Sequence, residues 1–147
     1  MRNMIIVVAL IFLTASNSGL AYTDMSARDA YEMQQKCAKD AKAYFVENEG
    51  SSGISEDTKG TYNKWYENHY NKDLNRCFIL VEYKKIGGKG GSTAKWAVYN
   101  LIDVNENRTY ASLMTGDSDE AITCIFNDSR CVTSTEWWTK VRAYMGK

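Results

Sequence analysis

The chain has 147 residues, with 18 basic and 18 acidic side chains, four cysteines and no proline. Balanced charge excludes the strong field on which non-specific nucleic-acid binding depends, and the lack of proline excludes cis-proline turns and polyproline recognition tracts. Ten Tyr, four Trp and four Phe supply enough apolar surface for a packed domain rather than a disordered chain.

The chain opens like a cleavable export signal spanning residues 1–21. Arg2 provides a positive start, Ile5 to Leu13 is an unbroken apolar run, and small residues lead to Gly19-Leu20-Ala21. That order of charged, apolar and small-residue segments is the layout of a secretory leader. Nine apolar residues are too few to span a bilayer, which takes about 20. Cleavage after Ala21 leaves one domain, residues 22–147, with 17 basic against 18 acidic side chains and no transmembrane anchor. The expected location is the periplasm or the exterior of the cell.

Ser26 followed by Asp29 reads as a helix start. Ala27, Ala30, Tyr31, Gln34, Cys37, Ala38, Ala41, Tyr44 and Phe45 then form one stripe at three- and four-residue steps. This predicts a long helix ending near Gly50, where Gly50-Ser51-Ser52-Gly53 opens a loop. A second, short helix is predicted over residues 61–70, because Tyr62, Trp65, Tyr66, His69 and Tyr70 also fit helical spacing. The period then changes. Residues 77–84 (CFILVEYK), 95–103, 109–114 and 121–126 are β-branched and aromatic-rich, and turn residues separate them. Short connections make an antiparallel meander the economical arrangement. Thr133 and Glu136 form a T-x-x-E start for a last helix running to about Tyr144. The expected fold class is therefore α+β: a long N-terminal helix and a short second helix packed on a four-stranded antiparallel meander, with a C-terminal helix.

An even cysteine count in an exported chain reads as disulfides. Cys37, Cys77, Cys124 and Cys131 allow three pairings. Cys37–Cys77 with Cys124–Cys131 is favoured, because the second pair is close in sequence and brackets the turn Asn127-Asp128-Ser129-Arg130. A zinc site would call for closely spaced Cys or His pairs, whereas the chain has one histidine and no C-x-x-C. No metal and no cofactor are expected.

Several segments invite a chemical reading. His69 with Asp73 or Asp57 is the candidate pair for a small hydrolase. Gly87 to Ser92 is glycine-rich, yet it lacks the P-loop pattern and leads into a strand rather than a helix. Asp103, Asn105 and Asn107 mimic the first half of a calcium loop, but Arg108 and Met114 stand where Gly and Glu belong. Asn107-Arg108-Thr109 and Asn127-Asp128-Ser129 match the glycosylation sequon. Lys85 and Lys89 cluster at the expected hairpin tip and form a candidate binding surface. Trp137 and Trp138 are adjacent, and neighbours on a helix diverge by about 100°, so one is expected in the core and the other available to a partner.

The segments QQKCAKDAKAYF, YENHYNKDLNRCFILVEYK and LIDVNENRTYAS resemble those of small, uncharacterised exported bacterial proteins. The resemblance implies a compartment and disulfides rather than a reaction. The expectation is thus an exported non-catalytic binding or interaction module, such as an inhibitor or immunity-type protein of the envelope. Its partner would be another envelope or secreted protein, or a glycan. The alternatives are the His69 hydrolase and a structural envelope assembly factor.

Overall fold

A computed structural model describes residues 25–57, 60–87, 95–118 and 120–147. The expected leader, Lys89 and most of the glycine-rich connection lie outside the described residues. The elements run α1 (Ala27–Glu49), β1 (Gly53–Asp57), β2 (Gly60–Asn71), β3 (Arg76–Gly87), β4 (Trp96–Asp103), β5 (Arg108–Thr115), β6 (Ala121–Phe126), β7 (Ser129–Arg130) and α2 (Ser134–Tyr144).

All seven strands join one antiparallel sheet in chain order. This corrects the expected four-stranded sheet with three helices. The segment expected as a short second helix is strand β2, paired along its length with β3. Its aromatic residues fit both periods: Tyr62, Tyr66 and Tyr70 lie on one face of a strand, and Trp65 with Asn63, Glu67 and His69 on the other. Aromatic and Thr side chains favour extended backbone where cross-strand neighbours are available, and β3 supplies them. Residues 53–57, expected within a loop, form β1 and pair with β2. The short β7 closes a hairpin with β6 through Asn127 (φ 48°) and Asp128 (φ 62°), the two left-handed positions of a type I′ turn.

Helices cover opposite faces of this sheet. Cys37, Ala41 and Phe45 of α1 pack with Cys77, Ile79 and Val81 of β3, Tyr70 of β2 and Ile102 of β4. Trp137 and Val141 of α2, with Met145 just beyond it, pack with Phe78, Leu80, Leu101, Ala111, Leu113 and Cys124. The unbroken apolar run of β3 follows directly: a strand buried on both faces has no polar side to alternate with. The helices are also offset, α1 lying on β2 and β3 and α2 on β5 and β6.

Both helices begin on side-chain caps. Ser26 Oγ accepts from Asp29 N at 3.1 Å, and Thr133 Oγ1 accepts from Glu136 N at 3.1 Å. Glu136 also accepts from Val132 N and pairs with Lys140 at 2.7 Å. The lysine first and the backbone bond second hold its carboxyl below the usual range. At the far end of α2, Gly146 adopts φ +66°, and Lys147 N donates to Arg142 O at 3.0 Å. That is the Schellman bond that terminates a helix. A Cβ on Gly146 would stand 2.5 Å from His69 Cε1, so the turn needs glycine for both conformation and space.

Strand β2 receives contacts from both sides near its end. From α1, Gln34 accepts from Tyr70 N at 2.8 Å and donates to Asn68 Oδ1 at 3.1 Å. From the α2 side, Asn71 Nδ2 donates to the carbonyls of Ala143 and Tyr144 at 3.2 and 3.3 Å. Lys147 pairs with Glu67.

Candidate functional site

Beside α2, an open cavity of about 340 Å³ is lined by Leu80 of β3 and by Trp138, Val141, Arg142, Met145 and Lys147. Helical spacing explains the set: Trp138, Val141, Arg142 and Met145 recur at three- and four-residue steps and share one side of α2. Trp138 is half-buried, its ring 4.9 Å from Tyr99 and 4.9 Å from Trp137. The wall is therefore aromatic and aliphatic, while Arg142 and Lys147 bring positive charge. Lys147 already pairs with Glu67; Arg142 has no ion-pair partner among the described residues.

Trp137 and Trp138 play different parts. Trp137 is fully buried, and its Nε1 donates to the carbonyl of Ile125 at 3.1 Å. It is a core residue that anchors α2 to β6. Trp138 lines the cavity. The two Trp positions thus supply one anchor and one site residue.

Of the expected lysine surface, Lys89 lies outside the described residues and Lys85 does not join this site. Lys85 pairs with Tyr62 and Trp96 across the sheet and lies, by alternation from Val81, on the α1 face. The cavity is on the α2 face. Lys84, one position earlier, points to the α2 side and lines a second cavity of about 180 Å³ with Lys95, Trp96, Tyr99, Thr115 and Asp117.

His69 lies on the α2 face of β2, beside the C-terminal turn. Burial, and then the nearby charge of Lys147, push its pKa below the usual 6.5. Asp57 pairs with Gly60 at the opposite end of β2, nine residues away, which at strand rise is about 30 Å. Asp73 is exposed in the β2–β3 turn. Among the described residues the Asp73 carboxylate does not bond to His69.

Asp103 is fully buried, and both its oxygens are engaged. One accepts from Arg76 Nη1 at 2.7 Å, the other from the backbone N–H groups of Asn105 and Glu106 at 2.9 and 3.1 Å. Arg76 also pairs with Glu106 at 2.7 Å and donates to the Tyr110 hydroxyl at 2.9 Å. Those hydrogen bonds, to Glu106 first and Asp103 second, raise its already high pKa. The segment is a turn organised by a carboxylate and a guanidinium.

Glu82 was not singled out by pattern, although a charge interrupting CFILVEYK was the available signal. It is 8% exposed and stands on the α2 face between Trp65 of β2 and Tyr99 of β4, in register with both. Among the described residues it accepts no hydrogen bond and has no ion-pair partner. Its oxygens nevertheless keep some contact with solvent.

Two disulfides hold the scaffold under the site. Cys37–Cys77 joins α1 to β3, with Cα atoms 5.3 Å apart, and Cys124–Cys131 spans the β6–β7 hairpin, with Cα atoms 5.1 Å apart. Such crosslinks fit an oxidising compartment. Among the described residues no helix is long and apolar enough to cross a membrane, and no group of three or more His, Cys, Asp or Glu side chains is arranged to hold a metal. Comparison with protein-family models, curated proteins and solved structures found no match.

Proposed function

We propose that this is an exported interaction module of the periplasm or cell exterior that binds another secreted or envelope protein through the α2 face of its sheet. One observation carries the reading. A cavity of about 340 Å³ with an aromatic wall, and with Arg142 beside it, is built on a helix–sheet junction. Pockets of roughly 300–1,000 Å³ with apolar walls and a few polar groups are where ligands are held. Trp and Arg are also the residue types that most often dominate protein–protein binding energy. The disulfides support this reading by keeping α1 and the β6–β7 hairpin in place, so little order has to be gained on association. The partner segment that fits presents an apolar side chain to Leu80, Val141 and Met145, with an acidic group placed for Arg142. An inhibitor or immunity-type protein is the concrete form of such a module.

The test is chemical crosslinking in the cells that export the protein, followed by identification of the attached protein. It compares wild type with a Trp138→Ala/Arg142→Ala double variant that still unfolds cooperatively. The adduct is expected to be lost in the variant. The same adduct at equal yield would remove this face as the binding surface.

A further inference from the structure

We propose that Glu82 is a recognition carboxylate that receives the guanidinium of an arginine side chain on the bound partner. An ionised carboxylate with only slight access to water is costly to hold without a counter-charge. Glu82 is more than nine-tenths buried and has neither hydrogen bond nor cation among the described residues. Its nearest same-face neighbours across the sheet are the aromatic residues Trp65 and Tyr99, and Tyr99 stacks edge-on with Trp138 at 4.9 Å. A carboxylate set in a row of aromatic rings matches guanidinium better than ammonium. The planar cation is weakly hydrated, stacks on ring faces and offers paired donors to the two oxygens.

The charges around Glu82 define what flanks the arginine. Lys84 follows on the same face of β3 and is exposed, and Arg142 lines the same cavity as Leu80, the preceding same-face residue. A lone cationic ligand would be repelled by both. An arginine with acidic residues on either side satisfies all three positions. In an extended segment, same-side residues recur every second position, about 7 Å apart, which is also the spacing along β3. The occupant is therefore an amphoteric, extended segment of a partner protein. The inference rests on the proposed function only for the face that the partner uses.

The test uses the full exported chain and the peptide Ac-Asp-Gly-Arg-Gly-Asp-amide, with the neutral isostere citrulline in place of arginine as control. Binding is read by tryptophan fluorescence and by indole N–H shifts. Saturable binding of the arginine peptide is expected, at least about tenfold weaker for the citrulline peptide on wild type and for the arginine peptide on Glu82→Gln. Thermal unfolding supplies a readout independent of ligand: Glu82→Gln should match or exceed wild type, since it removes a charge that nothing in the free protein pairs. Equal binding of the two peptides, no saturable response, unchanged binding by Glu82→Gln or a lower unfolding midpoint for that variant would each overturn the proposal. Failure of the peptide test leaves the crosslinking result at Trp138 and Arg142 to stand or fall separately.

Discussion

Removing the two disulfides should separate their contributions by loop length. Cys37–Cys77 closes a sequence separation of 40 and Cys124–Cys131 one of 7. On the chain-entropy model the constraint on the unfolded ensemble is worth about 3.9 kcal/mol for the first and about 2.4 kcal/mol for the second at 25 °C, a difference of about 1.5 kcal/mol. Burial acts in the same direction, because Cys37 and Cys77 are 2% and 4% exposed and their sulfurs fill the core under α1. For a domain with about 5–15 kcal/mol of net stability, the first loss is a large part of the whole. The experiment is urea unfolding of Cys37→Ala/Cys77→Ala and Cys124→Ala/Cys131→Ala, with hydrogen exchange on the same samples. The first variant should be the less stable by about 1.5 kcal/mol or more. Its α1 amides should lose protection while those of α2 keep theirs, because the two helices pack on different clusters. Equal losses, the reverse ranking, or loss of protection confined to α2 would refute the reasoning.

His69 should titrate with a midpoint below 6.5, because burial first and Lys147 second disfavour its charged form. The unfolded chain then takes up the proton more readily. Stability from this group is complete above pH 6.5 and declines as the pH falls from there through the lowered midpoint. Histidine Cε1–H NMR resonances check this; Lys147→Met should move the midpoint upward, and a wild-type midpoint at or above 6.5 would contradict the account. The two adjacent tryptophans should separate stability from binding. Trp137→Ala should cost about 3–5 kcal/mol in denaturant unfolding, and Trp138→Ala about 1–2 kcal/mol while reducing partner crosslinking. A larger stability loss from Trp138→Ala would reverse the assignment of core and cavity.

The two capped helices and the apolar strands from Cys77 onward were legible because each shows a single period. Ser26 and Thr133 mark real helix starts, and residues 121–126 coincide with β6. Strand β2 was not legible. Its aromatics alternate between two partly covered faces, so positions 62, 65, 66, 69 and 70 satisfy a helical stripe and a strand equally well. Only pairing with β3, a non-local contact, decides between them. Strand β1 (Gly53–Asp57) is similar: a short polar strand beside loop residues carries no apolar alternation. The site was half legible. The Trp137-Trp138 pair pointed to α2, but Lys85 was joined to Trp138 by sequence character although the sheet separates them. Trp65, Glu82 and Tyr99 come together only through cross-strand register, which a linear pattern does not contain.

The convergence of Gln34, Asn71, Gly146 and Lys147 on one stretch of β2 has a consequence for synthesis and clipping. Residues 67–71 are held on one side by a helix made early and on the other by the later-made segment from Ala143 to Lys147. A product stopped or trimmed after Arg142 would lose the Asn71 bonds to Ala143 and Tyr144 and the Lys147–Glu67 pair, leaving that stretch gripped on one side only, with His69 uncovered. The segment from Ala143 to Lys147 therefore acts as the latch of the sheet, and a bulky side chain in place of Gly146 would press against His69.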